Sequence, residues 1–451
     1  MMRIASLVLF AVGAATARAQ QAALDSALRG LEAKGFSGVV RVEQRGVTLL
    51  EKGYGLANRA DKTPFSASTV VQIGSNTKDF TVVALLQLHE RGTLNVHDSL
   101  AKFFPSAPAD KRNITLWQLV THVAGFPIGL GGDFEPVTRE QLVKAAFERP
   151  LNFPPGTREQ YSNTGYSLLA AIIEQVSGRT YDEYVRENIL DPLGLRNTGF
   201  LLPHFDLARV AHGYRNGEDV GTMLAKPHAA DGPYWNLRGN GGMLSTVGDM
   251  HTFYKALFES NTLLKPATRA LRFDPNEPIG LAGSDLVSSF LYDRLPGRGV
   301  EIIIATNSPD VRFPVVRQAI GGVLGLPSPD GGPVIATAGP TSAKAPPPAV
   351  ATLLNDFVAA INSGDAPTLT KFIDAHFVID AGTPTAAERA QRLAGMHQNL
   401  GALTVSTLNQ VDDTTVEISV MSAQEGKATL KVTVEPGPPP KLRSLQVMVG
   451  G

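Results

Sequence analysis

The sequence predicts an α+β protein: an antiparallel sheet flanked by helices, with a helical subdomain inserted between its strands, and a small second α+β domain at the C-terminus. Three observations predict it. Strand-like alternation of apolar and polar residues appears near both ends of the first part of the chain, whereas the stretch between keeps helical spacing. A Pro-, Gly- and Ala-rich segment, 326–349, then breaks the pattern. Beyond it, two amphipathic helical stretches precede strand-like runs.

The elements follow in order. Residues 1–19 read as a secretory signal peptide: Arg3 precedes an apolar run from Ile4 to Ala15, and Ala17-Arg18-Ala19 offers a small-residue cleavage site. Cleavage after Ala19 and a periplasmic or secreted location are expected; the alternative is a buried N-terminal helix. The apolar run is too short for a membrane span of about 20 residues, and no span is expected later in the chain. Gly38–Leu50 alternates around Arg45-Gly46 and predicts a hairpin. From Gly74 to Arg91 the spacing of Phe80, Val83, Ala84, Leu86 and Leu88 predicts a helix, which Gly92 ends. Further helices are expected at Ile114–His122, Gln141–Phe147, Asn163–Val176, Asp182–Leu190 and Met250–Phe258. Strands return near Leu286–Leu291 and Glu301–Thr306, where Ile302, Ile303 and Ile304 make a strand apolar on both faces. These elements compose a domain over 20–325.

The segment 326–349 is expected to be a linker, semi-extended where prolines cluster. In the domain over 350–451, Leu353, Leu354, Phe357, Val358 and Ile361 share one helix face, and Leu369, Phe372 and Ile373 share another. Val416–Met421, Ala428–Val434 and Leu442–Val449 read as strands.

Composition narrows the function. With 43% apolar and 18% charged residues, the chain of 451 residues has enough apolar side chain for a core, which rules out general disorder. Lys and Arg total 41 against 42 Asp and Glu, so no basic excess points to nucleic acid. The absence of Cys removes disulfides, Cys-ligated metals and Cys nucleophiles. None of the nine His falls in a zinc-binding spacing, and no metal or cofactor is expected.

The chemistry concentrates in a few residues. Ser75 and Lys78 stand three apart at a helix start, hence on one face. Helix-terminal amides favour an alkoxide and lower the pKa of a nearby amine, so Lys78 is a candidate base for a Ser75 nucleophile. Ser75 as an N-cap and Lys78 as a solvated side chain remain the plainer reading of the pair. Tyr161, on the loop after Pro154-Pro155-Gly156, is placed to shuttle protons and, beside an ammonium, to carry phenolate character. Asn163 is placed to donate to a substrate carbonyl and to bond Lys78; packing for Tyr161 and capping for Asn163 are the alternatives. Gly283 and Ser284, in Leu281-Ala282-Gly283-Ser284 entering the strand near Leu286, can add a backbone N–H to that of Ser75 as an oxyanion hole. His122 reads as a residue tying a helix end to its loop.

Together these residues resemble the class C β-lactamase and penicillin-binding-protein-like serine hydrolases, which include esterases, DD-peptidases and D-aminopeptidases. The resemblance runs over about Gly35–Leu324 and rests on Ile73-Gly74-Ser75-Asn76-Thr77-Lys78-Asp79-Phe80-Thr81, Leu119–Gly125, Pro154-Pro155-Gly156 before Tyr161-Ser162-Asn163, and Gly241–Thr246. It implies a β-lactamase/transpeptidase-like fold, with Ser75 as nucleophile, Lys78 as base, Tyr161 as partner base and shuttle, and Asn163 as a positioning residue. The substrate would be a small ester, amide or peptide, processed through an acyl-enzyme. Where the family carries K-T-G or H-x-G, this chain has Leu281-Ala282-Gly283. Loss of the cation or imidazole implies poor hydrolysis of β-lactams and D-Ala-terminated peptides. It also motivates a rival reading: a catalytically weak relative that binds a peptidoglycan fragment or a protein. The tail resembles the SnoaL-like α+β fold, through Phe357–Ile361, Ser363-Gly364-Asp365 and the terminal strands. It implies a binding, lid or dimerisation module, with a homodimer through the C-terminal domain as one expected partner arrangement.

Overall fold

A computed structural model describes residues 2–215, 217–284, 288–307, 311, 313–326, 346–378, 385–410, 415–422, 426–435 and 437–449. The chain divides into two compact units, Met1–Val334 and Ile335–Gly451. Of the expected linker, 327–345 lies outside the described residues.

The first unit is built on a five-stranded antiparallel sheet. Its strands are β1 (Gly38–Gln44), β2 (Val47–Tyr54), β3 (Ile279–Ser284), β4 (Ser289–Leu295) and β5 (Val300–Thr306), in the order β2-β1-β5-β4-β3. The two ends of the unit meet at the sheet centre, where Val39 pairs with Ala305 and Val42 with Ile302. The expected hairpin forms, and its turn residues Arg45 and Gly46 both take positive φ, at 51° and 75°. Two successive left-handed residues match the twist of the flanking strands. The apolar run at 302–304 is explained by burial on both faces. Ile302 and Ile304 pack with Val40, Val42 and Leu291 against Leu24, Leu28, Val316 and Ile320. The last four lie on helix α1 (Met2–Glu32) and on a helix over Phe313–Leu324. Ile303, Ala305, Val39 and Tyr292 belong to the larger core on the other face.

That larger core holds the inserted helices. They include α2 (Thr77–Glu90), α3 (Leu116–Val120), α4 (Arg139–Glu148), α5 (Asn163–Ser177), α6 (Tyr181–Val185) and α7 (Val247–Glu259). Each was legible from apolar spacing, but boundaries moved where caps decide them. Thr115 and Thr138 form capping boxes with Gln118 and Gln141, so α3 and α4 begin just after them. Ser162, not Asn163, caps α5: its hydroxyl accepts from the Gly165 N–H at 3.2 Å. The expected helix over Asp182–Leu190 changes character at Arg186, where one π-helical turn begins. The segment around Gly283 does not lead into the strand near Leu286. It is itself the edge strand β3, and β4 begins only at Ser289; 285–287 lie outside the described residues.

In the second unit, helices over Pro348–Asn362, Ala366–His376 and Ala386–Leu400 precede a four-stranded antiparallel meander. The third helix and the strand over Leu403–Gln410 were not read from the sequence. Leu354, Phe357, Ile361, Leu369 and Ile373 bury against Ile418, Leu430 and Val432. Among the described residues, no helix is long and apolar enough to cross a membrane.

Candidate active site

Gly74–Asn76 forms a single 3₁₀ turn that feeds α2. Gly74 takes a positive φ of 51°, and a Cβ there would lie 2.8 Å from the Ser284 nitrogen. A Cβ on Gly283 would lie 2.1 Å from the Ile73 oxygen and 2.6 Å from the Ser75 nitrogen. Both positions require glycine because the Ser75 turn and the edge strand touch backbone to backbone. This contact brings Ser75 and Ser284 to one wall of a cleft of about 740 Å³, which Asp133, Phe134, Asn163, Lys226 and Asn240 also line.

Ser75, Lys78 and Tyr161 converge. The Ser75 Oγ lies 2.6 Å from the Tyr161 hydroxyl, and Lys78 Nζ donates to Ser75 Oγ at 3.2 Å. The three-residue spacing, from the 3₁₀ turn into the start of α2, brings Lys78 onto the face of Ser75. Lys78 is buried, and its second bond goes to the Asn240 carbonyl at 2.6 Å. That carbonyl sits on a loop pinned from two sides. Thr81 Oγ1 donates to the Gly239 carbonyl at 2.6 Å, and Asn240 Nδ2 donates to Ser167 Oγ on α5 at 2.8 Å.

Burial is the main cause that pushes the Lys78 ammonium down, to about 7, while Asp79 and Asp133 pull the other way. Near neutral pH a good part of Lys78 is therefore the free amine. The helix-terminal field invoked from the sequence gives the same direction, but desolvation is the larger cause. Tyr161 departs from the sequence expectation. Burial raises its phenol pKa, and the bond to Ser75 only partly offsets that. Tyr161 thus stays a protonated phenol instead of carrying phenolate character.

His122 holds this phenol in place. Its ring centroid lies 4.8 Å from that of Tyr161 and 5.1 Å from that of Tyr166. Its Nδ1 accepts the Ser162 N–H at 3.1 Å. Burial, aided by the Lys78 charge, lowers the imidazole pKa to about 4, so a neutral ring ties the end of α3 to the Tyr161 loop.

Asn163 reaches the cleft, but the expected bond to Lys78 is absent among the described residues, because Lys78 turns to the Asn240 carbonyl instead. The Asn163 Oδ1 is buried without a protein partner. Its backbone N–H donates to the Ile128 carbonyl at 2.7 Å. Leu281 is partly buried against the core, so no charge stands where the resemblance places a cation. Its backbone does more: the Leu281 carbonyl accepts from Asn76 Nδ2 at 3.1 Å. The same Nδ2 donates to the Tyr254 hydroxyl at 2.8 Å, and Tyr254 donates to Asp79 Oδ2 at 2.7 Å.

Sequence reasoning missed Asn240, Asn76, Tyr254, Asp79 and Asp133. Asn76 and Asp79 sit inside the Ser75 segment, and Asn240 is flanked by Gly239 and Gly241-Gly242, which mark tight backbone. No local signal marks Tyr254, which is one of several aromatics on α7.

The family description Beta-lactamase matches residues 24–283. Penicillin-binding protein 4* of Bacillus subtilis (strain 168) is 26% identical over 255 residues, which cover 53% of this chain and 56% of that protein. The chain spans about half the length of the first curated relatives it matches. The D-amino acid amidase from Ochrobactrum anthropi SV3, solved in complex with D-phenylalanine, superposes with a TM-score of 0.55 at 22% identity. That superposition covers 68% of this chain and 98% of the amidase. The octameric penicillin-binding protein homologue from Pyrococcus abyssi gives a TM-score of 0.57 at 21% identity, over 92% of this chain and 91% of its own. These two superpositions show a shared fold. With more than half of its length matched by one family, the chain belongs to the Beta-lactamase family of serine hydrolases.

Proposed function

We propose that the chain is an exported serine hydrolase that cleaves a small ester or amide through an acyl-enzyme on Ser75. The observation that carries this is the pair of contacts at Ser75 Oγ: 2.6 Å to the Tyr161 hydroxyl and 3.2 Å to Lys78 Nζ, on the wall of an open cleft. In the first step Lys78, as the free amine, takes the Ser75 proton while Oγ bonds to the substrate carbonyl carbon. The Ser75 and Ser284 N–H groups take the oxyanion. Collapse breaks the bond to the leaving group, which receives its proton through the Tyr161 hydroxyl as that phenol is reprotonated from Lys78. Water then adds to the acyl-enzyme by the same proton path in reverse, releasing the acid and restoring Ser75. Asn163, with its free buried oxygen, positions the substrate amide.

A fluorophosphonate probe followed by mass spectrometry tests this directly. The adduct is expected on Ser75; a folded protein with Ser75 unmodified and no turnover of p-nitrophenyl esters, a chromogenic cephalosporin or D-amino-acid amides would overturn it. Leu281 supports a second reading, a catalytically weak relative that binds a peptidoglycan fragment or a protein. Full ligand binding and biological effect in Ser75→Ala would favour that reading. Export is read from the Met1–Ala19 segment and is tested by sequencing the N-terminus of protein recovered outside the cytoplasm. The order of helices and meander in the second unit supports the SnoaL-like likeness and a binding, lid or homodimerisation role. Truncation near Leu326 with unchanged activity and oligomeric state would remove that role.

A further inference from the structure

We infer that Arg238, which does not line the Ser75 cleft, is a positioning residue for Lys78: it holds the loop that carries the Asn240 carbonyl, and so keeps the Lys78 amine dry and aimed at Ser75. Its part in catalysis rests on the hydrolase reading above; its hold on Lys78 stands on geometry.

The Arg238 side chain is buried, and its guanidinium is used on every side. Nη1 and Nη2 each donate to one oxygen of Asp231 at 2.7 Å. Nε donates to the Pro233 carbonyl at 3.1 Å, and Nη1 also reaches Glu174 Oε1 on α5 at 3.4 Å. The group lies 4.9 Å from the centre of the Trp235 ring. Asp231, Pro233 and Trp235 all precede Arg238 in the same loop. The guanidinium therefore folds 231–238 around itself and ties the result to α5. A planar fork does this with a direction that a single ammonium lacks. A buried ion cluster adds little stability over apolar packing of the same volume, because desolvation offsets most of the attraction; what it fixes is geometry.

The geometry it fixes reaches Lys78 two residues later. The Arg238 carbonyl accepts from Ser167 Oγ on α5 at 2.9 Å. At Gly239, with φ of 80°, a Cβ would lie 2.8 Å from the Tyr166 carbonyl, so the loop is pressed against α5 there. Asn240 then turns its carbonyl to Lys78 Nζ at 2.6 Å, and its own Nδ2 donates back to the Asn236 carbonyl at 2.9 Å. Asn240 is buried, so this carbonyl closes one side of the amine to water.

The other groups around Lys78 come from elsewhere. The charges that act on it are Asp79 on α2 and Asp133 on the opposite loop. The Tyr161 and Tyr166 rings lie 4.8 and 5.5 Å from Nζ, and neutral His122 stands behind them. The 231–242 loop gives Lys78 a backbone carbonyl and cover, without a charge of its own. Burial is the main cause that lowers the Lys78 pKa. Loosening the loop admits water, favours the ammonium and leaves less free amine for Ser75.

The test is the pH titration of Lys78 in the full chain, followed by NMR of ¹³C-labelled lysine ε-carbons, with Lys78→Arg assigning the signal. Arg238→Lys keeps the cation and loses the fork. Asp231→Asn weakens the fork from its exposed side while Glu174 still faces the guanidinium, which keeps a folded chain to measure; melting curves of both variants report folding. In each the Lys78 midpoint is expected to rise by about one pH unit or more, a tenfold loss of free amine at a fixed pH below the midpoint. A midpoint that stays in place or falls, with or without a lower melting temperature, would reduce Arg238 to a structural residue and overturn the proposal. Fluorophosphonate labelling of Ser75 in the unsubstituted protein separates the two readings. A raised midpoint without any label upholds the hold on Lys78 while the hydrolase falls; a label with an unmoved midpoint overturns the role of Arg238 alone.

Discussion

Asn76, one residue after the candidate nucleophile, donates from Nδ2 to the carbonyl of Leu281 on the edge strand β3, 3.1 Å away. Edge strands hold only one ladder, so β3 depends on such contacts for its exact position against the Ser75 turn. Asn76→Ala is expected to cost about 1–3 kcal/mol, because the Leu281 carbonyl and the Tyr254 hydroxyl lose a buried partner. Urea denaturation reads the stability, and the fluorophosphonate labelling rate should fall by more than stability alone explains.

Gly283→Ala tests the same contact by force. The added Cβ would meet the Ile73 oxygen at 2.1 Å and the Ser75 nitrogen at 2.6 Å, and both are backbone atoms that cannot swing aside. The strand must move out, taking the Ser284 N–H with it. The expected loss of acylation is on the order of a hundredfold or more, the usual cost of one oxyanion donor. Stopped-flow labelling kinetics check it; an unchanged rate would show that β3 supplies no donor.

Tyr161→Phe removes only the hydroxyl that lies 2.6 Å from Ser75 Oγ. Tyr161 is 42% exposed, so the melting temperature should hardly change. Turnover of a p-nitrophenyl ester should drop by roughly 10²–10⁴, the usual range for a positioned proton-transfer group.

The acylation rate should rise with pH through about 7. Burial lowers the Lys78 pKa to about 7, and only the free amine can accept the Ser75 proton. Asp79 and Asp133 are the charges that hold that value up. Asp79→Asn should therefore carry the acid limb of the profile to lower pH, and a pH series of labelling rates reads the shift. A limb that stays in place would remove Asp79 from the control of Lys78.

Asp79 also sets a stability trend. Burial raises its carboxyl pKa to about 6, above its ordinary value of 3.8, although the Tyr254 bond, Arg272 and Lys78 draw it down. The folded state thus holds this proton more tightly than the unfolded chain. The contribution is fully present below about pH 4, and it is lost as the pH rises through about 6. Melting curves should show Asp79→Asn gaining on the unsubstituted protein between those limits, and the gap should stay constant above them.

How much the sequence carried differs from element to element. The hairpin at Arg45-Gly46 and the helix ended by Gly178 were legible because period and turn chemistry are local. The helix over Ala386–Leu400 escaped notice: its mean hydropathy is low, and capping by Thr385 and Glu388 marks its start more than apolar spacing does. At the candidate site, Ser75, Lys78 and Tyr161 could be named because motif spacing survives in one dimension.

What sequence order cannot express is who ends up opposite whom. Lys78 was expected to bond Asn163, yet it bonds the Asn240 carbonyl, 162 positions away along the chain. Tyr161 was expected to approach a phenolate, yet desolvation around its partly covered ring raises the phenol pKa and keeps the proton on. Asp133 carries no signal in the sequence, and the fold alone sets it on the wall of the Ser75 cleft. By itself the sequence determined the α+β architecture, the candidate trio and the Leu281 that stands in place of a cation, since residue type and local period suffice for those. Tertiary structure alone decided protonation states, the hold on the edge strand and the charge balance of the cleft. Desolvation and Coulomb interactions depend on distances through space, which distant segments fix only when they pack.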